Sequence, residues 1–360
     1  MPLAQACKEH GHDVTFATGG PLLDRLPVET VKVYDDRTLD EAEAEVIRRH
    51  PDLENVPPEE KWRFGLELFA DVEYDGLWKG VEPLIAGERP DLVIFEAYSA
   101  AAGVAAATHD VPAVAVGVSP WSFFFELLHR SVMERHGVER RHAIVADFYL
   151  DIFPPSTWSD DPPGLPERRP LRPVAWSPGD SELPNWLERP RQRPRVYVTL
   201  GTVVFGYTAA FDSVLAALGE LDVEVLLTVG PKGDPSVLAR HGEHIHVERF
   251  VDQARVIPLV DAVVHHGGSG TALAATAAGL PQVVMPQGAD QFQNAEQLAA
   301  MGVARGVLPG TSDDELAEHL RAALTDDGMK AAARKFADEI AAMPSPADVA
   351  GHLEALTVRR

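Results

Sequence analysis

The sequence is poor in the features that mark a secreted or membrane-bound protein. Its 360 residues include one cysteine, Cys7, so no disulfide can form within the chain, and a reducing, cytoplasmic compartment is expected. It contains no run of about 18 apolar residues, so we expect no membrane-spanning helix. The opening MPLAQACKEHGHDV lacks a basic segment followed by an apolar one, so no secretory signal peptide is expected.

Basic residues are also scarce relative to acidic ones. The chain carries 32 lysines and arginines against 55 aspartates and glutamates, which gives a formal charge of −23. Such an acidic surface argues against nucleic acid or an anionic membrane as the main partner. A small anionic ligand remains compatible, because a local cluster of backbone N–H groups is enough to hold it. The length of the chain predicts two domains.

Strand and helix patterns alternate in two separate stretches, which predicts an α/β protein with parallel sheets. In the first stretch, a helix over the opening residues precedes a short buried strand at 14–17, and RPDLVIFE forms a strand that ends at Glu96. Residues 154–194 are rich in proline and charge, as is typical of an interdomain connection, and the strand pattern restarts at RVYVTLGT. The predicted division is a domain over 1–170 joined by a C-terminal helix over 344–360, a linker over 171–194, and a second domain over 195–343.

The stretch DAVVHHGGSGTALAATAAG carries the strongest local signal for a ligand site. We predict that a buried strand ends at Val264, that residues 265–270 form a turn, and that Thr271 opens a helix. Glycines let the backbone approach a ligand closely, and the helix N-terminus offers unpaired N–H groups and a partial positive charge. The pattern therefore indicates a pyrophosphate site. The alternative is a tight strand–helix turn with a threonine cap and no ligand.

Several motifs in the second half resemble the donor-binding signature of the family 1 glycosyltransferases. HGGSGT at 266–271 fits the phosphate motif of the family, and DQ at 290–291 matches the pair that hydrogen-bonds the donor sugar. FVDQ at 250–253 stands where the family commonly has Trp-x-Pro-Gln beside the base, although Asp252 replaces the proline. GT at 201–202 matches a loop near the phosphates. The donor-binding residues that the resemblance implies are Gly201, Thr202, Phe250, Val251, Gln253, His266, Gly268, Ser269, Gly270, Thr271, Asp290 and Gln291.

The resemblance also implies a fold and a reaction. The fold is GT-B, an α/β architecture of two Rossmann-like doubly wound domains that face each other across a cleft. The N-terminal domain binds the acceptor and the C-terminal domain binds the donor. The reaction is an inverting transfer of a sugar or deoxysugar from a TDP- or UDP-sugar to a hydroxyl group, with no metal and no cofactor. DIFPPS and HHGGSGT look particularly like actinobacterial antibiotic enzymes such as the calicheamicin transferases, which favours TDP and an apolar natural-product aglycone.

The catalytic base of the family has no counterpart in the sequence. In the family, a histidine after the first strand removes the acceptor proton, and a carboxylate orients that histidine. Here the sequence opens with a helix, so the strand and its histidine are missing, while Glu96 matches the carboxylate. The alternative for Glu96 is a strand-end carboxylate bonded to nearby N–H groups. A shortened chain is the favoured explanation, ahead of a donor-binding variant or a different base, and His10 and His12 are interpreted as surface-turn residues.

Aromatic residues in the first half are candidates for the acceptor site. An apolar aglycone suits a pocket lined by aromatic rings, although core packing is the alternative for each ring. The partners that the sequence implies are thus a nucleotide-sugar and an aglycone, and a homodimer is left open. Two other functions are left open, a nucleotide-sugar epimerase of the same fold and a non-catalytic nucleotide-sugar-binding protein. The acceptor candidates are Trp62, Phe64, Trp121, Phe123 and Phe124.

Overall fold

The computed structural model describes most of the chain, and it falls into two compact units. Unit 1 comprises Met1–Arg172 with Pro344–Arg360, and unit 2 comprises Pro173–Met343. Within the described ranges, no helix is both long and apolar enough to cross a membrane. Side chains at 123, 208–211 and 354–357 are not described. The described ranges are 1–19, 23, 26–34, 37–57, 60–121, 123–139, 142–158, 164–177, 182–199, 201, 208–230, 233–237, 244–308 and 311–357.

Strands and helices alternate along the chain, as the sequence predicts. The strands are β1 Thr15–Thr18, β2 Glu29–Lys32, β3 Val93–Glu96, β4 Ala113–Val116, β5 Phe148–Asp151, β6 Glu167–Pro170, β7 Arg195–Thr199, β8 Glu224–Thr228, β9 Ile245–Glu248, β10 Ala262–His265, β11 Gln282–Val284 and β12 Ala304–Gly306. The helices are α1 Pro2–Glu9, α2 Leu39–Arg49, α3 Lys61–Glu67, α4 Glu73–Glu88, α5 Ala100–Thr108, α6 Phe123–His136, α7 Thr208–Gly219, α8 Gln253–Val256, α9 Ser269–Ala277, α10 Gln291–Ala300, α11 Asp313–Thr325, α12 Asp327–Ala342 and α13 Pro346–Thr357.

Unit 1 is built around a parallel sheet in which β3, β4, β5 and β6 follow one another in order. Side chains alternate between the two faces of a strand, so each face of this sheet can bury one layer of helices. On one face, Leu3 and Cys7 of α1 and Leu353 of α13 share a core with Val114 and Leu150. On the other face, α4, α5 and α6 cover the sheet. The last helix of the chain therefore packs against the first.

The first two strands form a separate parallel pair. β1 pairs with β2, and no other strand of the described ranges joins them. Residues along β1 alternate between exposed and half-buried, so the prediction of a short buried strand at 14–17 is wrong about its burial. Ile94 on β3, at the edge of the larger sheet, is also exposed. In the described ranges, β1 and β3 each have one edge that pairs with no other strand.

The proline-rich stretch at 154–194 is more ordered than its composition predicts. It contributes β6, which pairs with β5. Charged residues and proline are tolerated in an edge strand. In β6 the charge of Arg168 pairs with a buried carboxylate, because its Nε donates to Asp151 at 2.7 Å. Further along, Leu187 lies on a short 3₁₀ turn and is buried in the core of unit 2.

Unit 2 contains six parallel strands in the spatial order β12-β11-β10-β7-β8-β9. Counted from β7, this order is 3-2-1-4-5-6, the doubly wound arrangement of Rossmann folds. The strand order reverses between β7 and β10, where Thr199 lies opposite His265. Ligands of open α/β sheets bind beyond the carboxyl ends of the strands at such a reversal. Gly201 comes two residues after the end of β7, and His266 directly follows β10.

A buried histidine fixes the end of β3 in unit 1. The ring of His129 on α6 is fully buried, with Nε2 2.9 Å from the carbonyl oxygen of Ala97 and Nδ1 3.2 Å from the N–H of Val145. Because the Val145 N–H must donate to Nδ1, the proton sits on Nε2 and the ring is neutral. Burial lowers the pKa of His129 to about 4.

We predict that His129 makes unit 1 labile to acid. The folded-state pKa lies below the usual value of about 6.5, so the unfolded chain takes up the proton first as the pH falls. Stability from this group is therefore present above about pH 6.5 and is lost as the pH falls toward about 4, with a loss of roughly 2 kcal/mol between pH 7 and pH 5. Urea unfolding of the wild type and of His129→Gln across this range measures the effect. Parallel pH curves for the two proteins would contradict it.

Candidate functional site

The turn between β10 and α9 has the shape that the sequence predicts, with shifted boundaries. β10 ends at His265, one residue later than predicted, and α9 begins at Ser269, two residues earlier. Gly267 has a φ of +95°, and a Cβ on it would lie 2.9 Å from the backbone oxygen of Gln291. Only glycine combines this conformation with this close approach of α10. His265 is consequently a strand residue and not part of the turn.

The buried ring of His265 holds the turn from beneath. The Gly267 N–H donates to Nδ1 at 3.0 Å, so the proton is on Nε2, which donates to the side-chain oxygen of Gln282 at 2.8 Å. The Gln282 amide in turn donates to Thr276 of α9 at 2.9 Å. Burial lowers the pKa of His265 to about 3, so the ring stays neutral. The sequence alone does not distinguish the role of His265 from that of His266, because the two histidines are adjacent in a glycine-rich stretch.

The ring of His266 lies between two glycines. A Cβ at Gly201 would lie 2.7 Å from its Cε1, and a Cβ at Gly268 would lie 2.5 Å from its Nε2. Its Nδ1 is buried without a hydrogen-bond partner among the described residues, and burial lowers the pKa of the ring. Buried polar atoms are nearly always paired in native proteins, so an unpaired one beside a ligand-type turn indicates where a ligand group binds.

The first turn of α9 adds donors to this place. The N–H groups at the start of a helix have no acceptor within the helix and carry a partial positive charge. In α9 these belong to Ser269, Gly270 and Thr271, which directly follow the glycines around His266. The arrangement can hold an anion of the size of a phosphate without any basic side chain.

An acidic side chain stands next to the turn. The Asp290 Oδ2 accepts from the Ser269 hydroxyl at 3.3 Å and from the Asn294 amide at 3.3 Å, and burial raises the pKa of Asp290. The side-chain oxygen of Gln291 accepts from the N–H groups of Gln287 and Gly288, so its NH₂ group is the part left to donate to a ligand. Asn294 was not among the predicted residues, although it follows Asp290 by one helical turn.

The segment at 250–253 lies beside α9. Phe250 is 51% exposed, while Val251 and Asp252 are buried. Asp252, which stands where the family has proline, caps α8 by accepting from the Ala254 N–H at 3.1 Å and also accepts from the Ser177 hydroxyl. With Asp252 in place of proline, the segment loses the fixed φ angle of proline and gains a side chain that caps α8.

Gln253 and Thr271, two of the residues predicted to bind the donor, are in contact. Thr271 donates to the side-chain oxygen of Gln253 at 3.3 Å, so α8 and α9 are joined. The amide nitrogen of Gln253 is buried without a partner in the part of the chain that the structure describes. Gly201 is described, but Thr202 lies outside the described residues.

Unit 1 contains a cavity of about 790 Å³ at the carboxyl ends of β1 and β3. Glu96, at the end of β3, lines it and accepts from the Tyr98 N–H at 2.8 Å. The aromatic rings in its wall belong to Tyr34, Phe69, Tyr74 and Tyr98. The position of Glu96 at a strand end beside an aromatic-lined cavity suits a residue that contacts or orients a substrate group.

None of the predicted acceptor aromatics whose side chains are described lines this cavity. Trp62 is 49% exposed and lines a smaller cavity of about 160 Å³. Phe64 packs beside the cluster that contains Leu53 and Val72. Phe124 and Trp121 make ring contacts within the aromatic clusters around Tyr98 and Phe125. The side chain of Phe123 lies outside the described residues. For Phe64, Trp121 and Phe124, packing explains the observed positions.

One group of metal-ligating side chains converges among the described residues. His50, Glu67 and Asp71 offer ligand atoms within 4.8 Å of one another. Asp71 is also bonded to the Arg49 guanidinium at 2.9 Å, and His50 and Glu67 line the smaller cavity with Trp62. Within unit 1, the group shares no residue with the lining of the cavity at Glu96.

We predict that replacing Gly268 by alanine lowers the stability of unit 2, because of the adjacent His266 ring, and that the same change at Gly270 does not. Gly268 has an ordinary extended conformation, so Gly268→Ala acts only through the clash with the ring and is expected to destabilise unit 2 by about 1–3 kcal/mol. A Cβ at Gly270 meets nothing within 4 Å, so Gly270→Ala is expected to be neutral or to stabilise by about 0.5–1 kcal/mol. Urea unfolding of both variants measures the difference, and equal effects would contradict the prediction.

Comparison with known proteins identifies the family. Residues 212–356 match the family model described as Erythromycin biosynthesis protein CIII-like, C-terminal domain. Elloramycin glycosyltransferase ElmGT from Streptomyces olivaceus is 33% identical over 382 residues, an alignment that covers 98% of this chain and 92% of the relative. Tylactone mycaminosyltransferase from Streptomyces fradiae is 36% identical over 62% of this chain and 51% of its own length.

Solved structures agree with the sequence relatives. The glycosyltransferase SnogD from Streptomyces nogalater superposes with a TM-score of 0.77 at 28% identity and covers 99% of this chain and 94% of its own. The spinosyn rhamnosyltransferase SpnG, complexed with spinosyn aglycone, superposes with a TM-score of 0.80 at 26% identity and covers 98% of this chain and 95% of its own. SpnG has also been solved with thymidine diphosphate. The predicted GT-B fold class and the family are confirmed. The chain therefore belongs to the actinobacterial natural-product glycosyltransferases.

Proposed function

We propose that this glycosyltransferase moves a sugar or deoxysugar from a TDP-sugar to a hydroxyl of an apolar natural-product aglycone. In this proposal the domain over 195–343 binds the donor, and the domain over 1–170 with 344–360 binds the acceptor, with 171–194 as linker. The observation that carries the proposal is the His266 ring, which lies between Gly201 and Gly268 at the N-terminus of α9. Its buried Nδ1 has no hydrogen-bond partner among the residues that the structure describes.

The donor diphosphate is assigned to the β10–α9 turn. The N–H groups of the first turn of α9 and the His266 ring offset the negative charge that grows on the leaving diphosphate as the sugar departs. These groups supply the stabilisation that a bridging metal ion would otherwise give, which is why we propose a metal-independent reaction. TDP is favoured over UDP because SpnG, at 26% identity, was solved with thymidine diphosphate.

The base and the sugar are assigned to the two sides of the turn. Phe250 is half exposed and offers a ring face on which a pyrimidine base can stack, and the neighbouring buried Val251 fixes its backbone. Asp290 and the NH₂ group of Gln291 face the sugar hydroxyls in this assignment. The Asp290 carboxylate, already held by Ser269, connects the sugar contacts to the phosphate contacts.

The proposed reaction is one displacement that inverts the anomeric carbon. The acceptor oxygen forms a bond to that carbon, the bond from the carbon to the phosphate oxygen breaks, and TDP leaves with the electron pair. The acceptor proton passes to a base. Glu96 lines the unit 1 cavity and is the proposed partner of that base, which it orients through its carboxylate. An aromatic-lined cavity of about 790 Å³ suits an apolar aglycone.

A second candidate is a protein that binds the nucleotide-sugar without transferring the sugar. It is favoured by the composition of the described wall around Glu96, which includes no histidine. The epimerase alternative has less support, because the relatives named above are sugar transferases.

Transfer itself is tested with a TDP-deoxysugar and a hydroxyl-bearing aromatic polyketide, in buffer with and without EDTA. The expected product has the anomeric configuration opposite to that of the donor, at a rate that EDTA leaves unchanged. Retained configuration would contradict the single displacement, and a rate abolished by EDTA would contradict metal independence. Donor binding without turnover would support the second candidate.

We also predict that donor binding is coupled to proton uptake at His266. Burial lowers the pKa of the free ring below its usual value, and the bound diphosphate favours the charged ring. Binding therefore raises the pKa, and affinity falls as the pH rises from the lowered pKa of the free ring through the higher pKa of the bound ring. Calorimetry with TDP-glucose measures this, because its diphosphate diester does not titrate in that range. His266→Gln keeps a donor but cannot be charged, and we expect weaker binding, by about 10-fold at low pH, with a flat pH dependence. A slope that survives in His266→Gln would contradict the assignment.

A further inference from the structure

Asn294 is a fully buried amide on α10 that touches three parts of the proposed donor site. Its Nδ2 lies 2.8 Å from the carbonyl oxygen of Gly267, 3.0 Å from the Ser269 hydroxyl and 3.3 Å from the Asp290 Oδ2. One NH₂ group thus lies within hydrogen-bond distance of the turn, of α9 and of the acidic residue on its own helix. Its Oδ1 is buried with no hydrogen-bond partner among the described residues.

Helix stability does not explain an asparagine at this position. Asparagine is among the weaker helix formers, and burying a polar group that is only partly paired is unfavourable. An apolar side chain would serve α10 better if packing were the only requirement. The amide is therefore best explained by the atoms that it holds.

The three contacts fix the orientation of the Asp290 carboxylate. Asn294 and Ser269 both donate to Oδ2, which leaves Oδ1 as the oxygen that neither of them holds. The same amide binds the carbonyl of Gly267, the residue whose missing Cβ lets α10 approach the turn. The carboxylate and the phosphate turn are consequently set in one geometry by one side chain.

We propose that Asn294 is a positioning residue of the donor site, which aligns Asp290 with the β10–α9 turn so that sugar and diphosphate are recognised together. The inference rests on the proposed function, because it takes Asp290 as the group that contacts the sugar. Asn294 is buried behind these residues and acts through them. Its loss should therefore weaken recognition of the sugar more than recognition of the nucleotide.

The test compares binding of TDP and of TDP-glucose to the full chain by calorimetry. For Asn294→Ala, we expect affinity for TDP-glucose to fall about 10-fold relative to affinity for TDP, because the Asp290 carboxylate loses a charge-assisted bond. The matched control is Gln293→Ala, which removes an exposed amide from the preceding position of α10 and should leave both affinities at wild-type values.

A second variant separates positioning from simple loss of structure. Asn294→Asp places a second carboxyl group beside that of Asp290. As the pH is lowered, such a pair takes up one proton, which the two groups share. The protonated carboxyl group can then donate a hydrogen bond as the amide does. We therefore expect the ratio of TDP-glucose affinity to TDP affinity to recover toward the wild-type value as the pH is lowered from about 7.5 to about 5.5. The ratio is measured relative to wild type at each pH. Asn294→Ala cannot recover in this way.

Several outcomes would overturn the inference. An Asn294→Ala protein with an unchanged affinity ratio, or with equal losses for both ligands, would show that the residue does not align the sugar contact. An Asn294→Asp protein without pH-dependent recovery would show the same. Failure of the wild type to bind TDP at all would instead contradict the proposed donor site itself.

Discussion

The position of the His266 ring depends on two residues that have no side chain. Gly201 follows β7 and Gly268 precedes α9, so the ring fits only because strands far apart in sequence end side by side. The doubly wound strand order produces this adjacency, since it places β10 next to β7. The chemistry of the site is therefore a consequence of the sheet topology. Gly201 and Gly268 leave the space in which the His266 ring fits between the ends of the two strands.

Sequence reasoning is strongest where local pattern and topology coincide. The alternation of apolar strands with alanine-rich helices suffices to predict unit 2, because its central strands β7, β10 and β11 are buried on both faces. The glycine turn predicts a ligand site for a local reason, the need for close backbone approach at Gly267 and Gly268. The resemblance at 250–291 adds the chemistry, and the structure brings Gln253 to Thr271 and Asp290 to Ser269.

The remainder depends on contacts that no local pattern carries. β6 reads as a charged, proline-rich segment, and its place as an edge strand follows only from the pairing of Arg168 with the buried Asp151. The different roles of His265 and His266 follow from the position where β10 ends, because His265 is its last residue and His266 is the first residue of the turn. Composition does not distinguish the aromatic residues of unit 1 from one another. Only the fold shows that Phe69 and Tyr98 line the cavity, whereas Phe124 packs behind them without lining it.

The packing of α13 against α1 makes unit 1 discontinuous, since unit 2 is inserted between its two parts. During synthesis the N-terminal segment leaves the ribosome first, and unit 2 follows as one uninterrupted stretch that can fold as soon as it is complete. Unit 1 has to wait for Val349, Ala350 and Leu353 before the apolar face of α1 is covered. Synthesis therefore begins with unit 1, whereas unit 2 is the first of the two units that can complete its folding.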